Sequence, residues 1–351
     1  MEHFMLKLKK LFGMLWVLVL ILGLTACGTK LDNNTDNTPT PTVTQDENES
    51  SNAGATEDGA NSQVTDSNDQ SATDETAADG VSYPITITDS YGKEITFEQE
   101  PMKIISLGPN ITEMIYDLGA GEKLVGRTDD SDYPEQVLEV QSVGTIFAPN
   151  IEGIISLDPD LVIISTHFDQ DSQEQIENLG IPVMALFEEK DFTGVYKMIN
   201  LLGTTINKKA EAANLVEEMT KQVEEITASV QGLEKPTVYY VVSSGQYGDY
   251  TAGGDTFIGY MLELAGGDNI AKDISGWSYN LESLVEADPE IIVIGNAYKD
   301  EFIHSQGYSE LTAVLEERVY GIDNNLLDRQ GYRNVEGLRE LVNIFHPEIN
   351  E

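Results

Sequence analysis

Two arginines, Arg329 and Arg333, are the residues of this chain best suited to bind a charged ligand. They lie at the two ends of the segment 329–333, which follows the last predicted strand and precedes a helix. A guanidinium group binds carboxylates and other oxyanions with paired hydrogen bonds. Because the chain has a net charge of −41, two arginines in one segment predict a local positive pocket for an anion. The alternative is that they form ion pairs with nearby acids such as Asp323 or Asp328.

Other candidate contacts lie where predicted strands end, because α/β sheets bind ligands beyond the carboxyl ends of their strands. Polar and aromatic side chains follow four such strands, and a tryptophan and a tyrosine precede a later helix. Each of these residues has an ordinary alternative, which is to cover the edge of the core. The candidates for ligand binding are Asn110, His167, Phe168, Tyr247, Tyr250, Trp277 and Tyr298, together with the two arginines.

Cys27 is the only cysteine, and its position predicts lipidation. Lysines at the N-terminus precede an apolar run over about 11–24, and small residues follow it, which is the layout of a secretory signal. The segment 24–27, Leu-Thr-Ala-Cys, resembles a bacterial lipobox. The alternative is an uncleaved anchor, but the run is short for a spanning helix, which needs roughly 20 residues. We therefore expect a protein that is lipid-anchored to the cell membrane on its extracytoplasmic face.

Charge and composition divide the rest of the chain. Residues 28–83 are almost free of large apolar side chains and carry a net charge of −11, which predicts a disordered acidic tether. After +2 in residues 1–27, this leaves −32 of the total of −41 on residues 84–351. So acidic a domain excludes nucleic acid as a partner and disfavours binding to anionic lipid.

The folded part predicts an α/β architecture, because short apolar strands alternate with helical stretches. Residues 85–88 and 94–97 predict an opening hairpin. Short apolar strands are predicted at 104–107, 161–164, 183–186, 238–242, 291–294 and 319–322. Between the two sets of strands, apolar residues step by three or four from about Lys208 to Val230, which predicts one long helix. The fold class is two Rossmann-like α/β lobes joined by this single helix, with a ligand cleft between the lobes.

An internal repeat supports the division into two lobes. The segment 151–164 is matched by 281–294, and each reads as a helix, an Asp-Pro stop and a buried strand. The alternative is that this pattern is a common local solution in α/β folds. The predicted organisation is a signal peptide at 1–27, the tether at 28–83, an N-terminal lobe at 84–206, a bridging helix at 207–232 and a C-terminal lobe at 233–351.

Covalent chemistry is not predicted. The chain lacks a Gly-x-Ser-x-Gly nucleophile turn, a His-Glu-x-x-His zinc motif and a phosphate-binding loop. Gly119-Ala120-Gly121 follows a helix, which favours a helix C-cap over a dinucleotide loop. We expect no enzyme activity, no cofactor and no metal site. A surface enzyme and a structural adhesin remain as the competing classes.

Several motifs together resemble the substrate-binding lipoproteins of bacterial ABC importers, and more narrowly the branch that binds ferric siderophores, haem and cobalamin. The resemblance covers roughly residues 84–348. Its most specific segments are 104–113 (IISLGPNITE), 132–134 (DYP), 149–152 (PNIE), 250–257 (YTAGGDTF) and 329–333 (RQGYR). It implies a monomer that captures its ligand between two lobes and delivers it to a permease dimer. A helical joint implies only a small closing motion.

The resemblance also implies a ligand class and a docking mode. Arg329 and Arg333 border the cleft in this family and suit an iron chelate, either a ferric siderophore or haem. Cobalamin is the alternative, and it is disfavoured by the absence of a tryptophan after Gly144. Glu152 and Glu282 match the glutamates that dock onto the permease, whereas Glu113 is expected to be structural.

Overall fold

The computed structural model describes residues 80–166, 168–187, 190–245 and 248–350. Cys27, His167 and Tyr247 lie outside the described residues, as do the predicted signal peptide and nearly all of the tether. Within the described part, no helix combines the length and the apolar character that crossing a membrane requires.

Two four-stranded parallel sheets form the centre of the molecule. The first has the order β4-β3-β7-β8, and the second has the order β10-β9-β11-β12. The central strands are buried on both faces, because helices cover both sides of each sheet. Within the described residues, the strands are β1 Ile85–Thr88, β2 Glu94–Phe97, β3 Ile104–Leu107, β4 Leu124–Arg127, β5 Gly144–Thr145, β6 Ala148–Pro149, β7 Leu161–Ile164, β8 Val183–Ala185, β9 Thr237–Val241, β10 Asp268–Asn269, β11 Ile291–Gly295 and β12 Val319–Ile322.

Helices connect these strands. They are α1 Pro109–Asp117, α2 Ile151–Ser156, α3 Gln170–Glu177, α4 Phe192–Thr205, α5 Lys209–Ser229, α6 Phe257–Leu264, α7 Leu281–Ala287, α8 Lys299–His304, α9 Thr312–Leu315, α10 Asn325–Asp328 and α11 Asn334–Phe345. Short 3₁₀ turns lie at Gly121–Lys123, Glu135–Glu139 and Pro347–Asn350. The α/β class predicted from the sequence is confirmed, and so are the opening hairpin and the six apolar strands, of which β12 is only partly buried.

The two central strand pairs have the same parallel arrangement. In the first sheet, Ile104 pairs with Leu161, and in the second, Val238 pairs with Ile291. The helices before β7 and β11 also correspond, because both end at an aspartate with positive φ, 49° at Asp158 and 39° at Asp288. A proline follows each aspartate and cannot continue the helix. The internal repeat is therefore a structural repeat.

A continuous apolar core joins the two halves. The predicted long helix is α5, and it buries Ala212, Met219 and Ile226 in that core. Gly203 allows α4 to approach α5, since a Cβ at this position would collide with the Cβ of Ala212. Phe192 of α4 meets Phe257 of α6 edge-to-face, with 5.4 Å between ring centroids. The halves thus share packing as well as a connecting helix.

A buried lysine fixes the turn where α5 begins. The Nζ of Lys123 lies 2.5 Å from Oε1 of Glu100 and donates a second hydrogen bond to the carbonyl of Ile206 at 2.7 Å. Asn207 donates to the other oxygen of Glu100 at 2.6 Å. Burial tends to raise the pKa of Glu100, but hydrogen bonds from Lys123 and Asn207 outweigh it and hold this pKa below 4.5. The first sheet and the start of α5 are thereby tied together.

We expect Glu100→Gln to lower the free energy of unfolding by about 2 kcal/mol at pH 7, because Lys123 stays buried without its counter-charge. Because the pKa of Glu100 is lowered in the folded state, its stabilisation is present above pH 4.5 and is lost as the pH falls through the folded pKa. Urea unfolding at pH 7 and at pH 3 measures both effects. Glu98→Gln, on the exposed hairpin, is the matched control. Equal losses in the two variants at pH 7 would contradict the assignment.

Candidate functional site

A cavity of about 560 Å³ lies between the two lobes, at the carboxyl end of the first sheet. Three first-lobe segments line it, residues 109–110, 146–147 and 165–166. Three second-lobe segments face them, residues 255–258, 276–277 and 327–330. Its size is within the range of roughly 300–1,000 Å³ that is typical of small-molecule sites. This cavity is the candidate ligand site.

The first-lobe wall is built where β3 and β7 end. Asn110 is the second residue of α1, which Gly108 separates from β3, and Ser165 follows β7. The two strand ends approach closely because Gly108 lies between them, and a Cβ there would lie 2.8 Å from the Cβ of Ser165. Phe147, at the tip of the β5–β6 hairpin, lines the cavity with 81% of its surface exposed. So large an exposed aromatic surface beside a cavity is suited to cover an apolar ligand.

The second-lobe wall presents Trp277, which is 43% exposed. Its loop is held by Asp255, whose carboxylate accepts from the amide of Gly276 at 2.7 Å and from the hydroxyl of Ser275 at 2.5 Å. The amide of Gly253 also donates to the carbonyl of Gly276 at 2.9 Å. A side chain at Gly253 would collide with this carbonyl, which explains the double glycine of the segment 250–257. That motif therefore positions the tryptophan.

The predicted arginines form an ion cluster that spans the two lobes. Nη1 of Arg329 lies 2.8 Å from Oε1 of Glu113 and 2.7 Å from Oδ1 of Asp132. Nη1 of Arg333 lies 3.3 Å from the same oxygen of Glu113, and its Nη2 lies 3.4 Å from Asp323. Both arginine side chains are 12% exposed, and that of Glu113 is 5% exposed. Arg329 and Arg333 thus form ion pairs, as the alternative to an anion-binding pocket predicted, and most of their partners are acids of the other lobe.

Two further contacts complete this Glu113 cluster, which we define as Glu113, Asp132, Asp323, Arg329 and Arg333. Nη2 of Arg329 donates to the carbonyl of Asp130 at 3.1 Å, and the guanidinium of Arg333 lies 4.2 Å from the ring centroid of Tyr133. The motif 132–134 therefore contributes contacts to both arginines. With three acids and two bases, the cluster has a net charge of −1 when all are ionised.

Burial and ion pairing oppose each other in this cluster. Burial raises the pKa of Glu113 above 4.5, while Arg329 and Arg333 pull it down. Burial alone would lower the pKa of Arg329, but Glu113 and Asp132 raise it above its ordinary value. Asp328, which lines the cavity, has a pKa raised by burial. Each buried charge in this region therefore depends on its partners for stabilisation.

The other predicted contact residues are dispersed. Phe168 is 8% exposed and packs in the core of the first sheet, because the chain turns back towards α3 directly after β7. Tyr250 makes isolated bridges with Ser243 and Ser278. Tyr298 lines a separate cavity of about 460 Å³ in the second lobe. Among the described residues, the structure brings Asn110, Trp277 and Arg329 together at one cavity.

Glu152 and Glu282 occupy equivalent exposed positions in the structural repeat. Each is the second residue of its helix, α2 or α7, and each helix begins at a capping asparagine. The fully buried residues Ile154 and Leu284 also correspond. No ion pair joins either glutamate to another described residue. Their carboxylates are available to an external partner.

The Glu113 cluster predicts a large stability effect for one arginine. Arg329→Ala leaves Glu113 buried with only the longer contact to Arg333, so we expect the free energy of unfolding to fall by about 3 kcal/mol. Urea unfolding followed by circular dichroism measures the change. Arg339→Ala is the control, because Arg339 is exposed and its hydrogen bond to Gln222 is long, at 3.5 Å. A similar loss in both variants would show that the cluster contributes nothing beyond a surface charge.

Comparisons with known proteins agree with this architecture. The family described as periplasmic binding protein matches residues 104–326. The ABC transporter substrate-binding lipoprotein YvrC of Bacillus subtilis is 35% identical over 76% of this chain and 87% of its own length. A cobalamin-binding protein of Halobacterium salinarum is 29% identical over 76% of this chain and 75% of its own length. A possible iron-binding, periplasmic solute-binding protein of Staphylococcus epidermidis aligns with a TM-score of 0.63 and 28% identity, over 70% of this chain and 99% of that one. The chain belongs to the periplasmic binding protein family.

Proposed function

We propose that this protein is the substrate-binding component of an ABC importer and that its cleft takes a large metal complex of low net charge, with cobalamin as the first candidate. The observation that carries this proposal is the lining of the cavity, where aromatic side chains face each other and the arginine charge is already compensated. The ligand is captured and released without covalent change.

Charge argues against a polyanionic ligand. The charged residues that line the cavity are Asp255, Asp328 and Arg329, two acids and one base. Arg329 is in turn paired with Glu113 and Asp132. A ligand with several negative charges would meet these carboxylates without gaining an unpaired cation. We therefore place ferric catecholates and haem below ligands that are close to neutral.

Aromatic side chains favour a broad, flat ligand. Phe147 comes from the first lobe and Trp277 from the second, so each lobe contributes one exposed aromatic ring to the cavity, while Phe257 is buried against Phe192. Such rings contribute large contact areas and pack against flat faces. The absence of a tryptophan in the stretch after Gly144 disfavours cobalamin. Phe147 lies in that stretch, however, and its ring offers an aromatic face comparable to that of a tryptophan. The cobalamin-binding relative supports the same ligand.

An iron chelate is the second candidate, and Arg329 at the cavity favours it. A neutral chelate can lie beside Arg329 without displacing Glu113 and Asp132, whereas a polyanion would compete with them for the guanidinium. Among iron chelates, ferric hydroxamates fit best, because their net charge is near zero. The possible iron-binding protein of Staphylococcus epidermidis supports this class.

We further propose how the protein is located and delivered. Cleavage before Cys27 and lipidation of that residue would anchor it at the outer face of the cell membrane, with 28–83 as a tether, 84–206 and 233–351 as the lobes and 207–232 as the bridging helix. YvrC is itself named a lipoprotein. Glu152 and Glu282, one on each lobe, would dock a monomer onto basic residues of a permease dimer and set its orientation.

The ligand proposal is tested by titrating the soluble chain from Gly28 to Glu351 with cyanocobalamin, a neutral ferric trihydroxamate, a ferric catecholate and haem. We expect cyanocobalamin to quench Trp277, the only tryptophan in that chain. Loss of an anchoring aromatic commonly costs 2 kcal/mol or more, so Phe147→Ala is expected to weaken binding about 30-fold. Tyr320→Ala, remote from the cavity on β12, is the control. Binding of the trihydroxamate alone selects the second candidate, and binding of none of the four refutes the proposal.

The docking proposal is tested by ligand uptake in cells that contain the cognate permease. We expect Glu152→Lys and Glu282→Lys each to reduce uptake about tenfold or more, because each places a cation opposite the permease arginines. Ligand affinity should be unchanged, since neither residue lines the cavity. Glu98→Lys on the hairpin controls for the change in net charge. If uptake in both docking variants matches that control, the assigned surface is wrong.

A further inference from the structure

The Glu113 cluster joins the lobes by contacts other than the chain connection. Glu113 lies on α1 of the first lobe, and Arg329 and Arg333 lie directly before α11 in the second. The pair Glu113–Arg329 links residues 216 positions apart. Pro109 and Asn110, at the beginning of the same α1, line the cavity, as does Arg329 itself. The cluster is therefore placed to affect both the charge of the cleft and the position of the lobes.

We propose that Glu113 is a specificity-determining residue: by holding Arg329 and Arg333 in interlobe ion pairs, it withholds their positive charge from the cleft, which therefore rejects polyanionic chelates. This inference rests on the proposed function, since it concerns which member of the ligand class the cleft accepts. Glu113 acts through the arginines, so it is a positioning residue and does not itself contact the ligand.

Arg329 donates three hydrogen bonds to the first lobe. Its Nη1 serves both Glu113 and Asp132, and its Nη2 serves the carbonyl of Asp130 at 3.1 Å. The guanidinium of Arg333 is held between Glu113 and Asp323 and stacks on Tyr133. A planar guanidinium has five donors in a fixed fork, so turning it towards a ligand would break these contacts together.

Releasing the arginines would also leave the buried Glu113 carboxylate without its counter-charges. This carboxylate is 5% exposed, and it accepts hydrogen bonds from both arginines. An anionic ligand that recruited Arg329 would leave Glu113 with a weaker partner in a poorly solvated place, and such a charge is strongly unfavourable. The anion would in addition approach Asp255 and Asp328. Glu113 thus opposes anion binding in two ways. It keeps Arg329 in an ion pair, and its own negative charge repels an anion.

The decisive variant is Glu113→Gln, which keeps the shape of the side chain and removes its charge. We expect its affinity for a ferric catecholate and for haem to rise at least tenfold over the parent chain, whereas affinity for a neutral trihydroxamate or cyanocobalamin should change less than threefold. The gain should weaken with added salt, because it arises from an uncompensated cation. Glu113→Gln/Arg329→Gln/Arg333→Gln should lose the gain, and Glu98→Gln, which changes the net charge equally on the hairpin, should not produce it.

A second variant covers the case in which Glu113→Gln does not fold. Asp132→Asn removes the other partner of Arg329, and the Asp132 side chain is 60% exposed, so its loss is tolerated by the fold. It should raise the affinity for the catecholate about threefold. Unchanged anion affinity in every folded single variant, or an equal gain in the triple variant, overturns the inference.

A measurement without ligand tests the interlobe role separately. Leu179 and Leu315 are 55% and 70% exposed on the first and second lobes, and the chain from Gly28 contains no cysteine. Spin labels on Leu179→Cys and Leu315→Cys report the distance between lobes. We expect a narrow distance distribution that broadens in Glu113→Gln, and an unchanged distribution would contradict the placement of Glu113 as an interlobe link. Failure of the proposed function is distinct, because it would appear as no binding of neutral probes by the parent chain.

Discussion

A carboxylate buried between two lobes constrains everything around it. Glu113 has lost most of its contact with water, so its charge must be balanced by protein groups at hydrogen-bonding distance. Arg329 and Arg333 supply that balance from the opposite lobe, and they are themselves buried enough to need Asp132 and Asp323. Moving one lobe relative to the other would separate several charges at once. The cluster therefore helps to hold the lobes in their relative position.

The apolar core that the lobes share is a second constraint on their relative movement. Helices α4 and α5 pack closely through Gly203, and the ring of Phe192 meets that of Phe257 in the second lobe. Packed interiors resist small displacements because each one opens a void or forces an overlap. A continuous core and an ion cluster together leave little room for wide closure. This agrees with the small motion expected of a helical joint, in contrast to receptors whose lobes turn about flexible loops.

Local patterns in the sequence were sufficient to predict most of the fold. The strands of both sheets and α5 are visible because their apolar periodicity depends only on nearby residues. The strand β4 is absent from the predictions, since it contains Gly126 and Arg127 and its burial alternates at a sheet edge. The two-residue strand β10 is too short to give any periodic signal.

The site was less accessible to prediction, because its geometry depends on distant partners. The segment 329–333 identifies two arginines near a cleft, but no local pattern indicates that their carboxylate partner lies 216 residues away on α1. The placement of Tyr298 in another cavity and of Phe168 in the core likewise depends on how each loop turns after its strand. Trp277 and Asn110 were found because strand ends and helix starts are local signals. Phe147 could have been found by a different local signal, which is an apolar residue at the tip of a short hairpin.

The distribution of acidic and basic residues in this protein also follows from the high cost of burying an unpaired charge. Most acidic residues can remain on the surface, where water stabilises them and where their mutual repulsion favours solubility. Cations are scarce in this chain, and two of its five arginines are committed to joining the lobes. A cleft built under that restriction gains affinity more readily from aromatic area than from charge, since area needs no counter-ion and no desolvation of a charged group. In this cleft, the exposed rings of Phe147 and Trp277 provide that aromatic area. The cleft of this acidic protein would therefore suit the bulky ligand of low net charge that we propose.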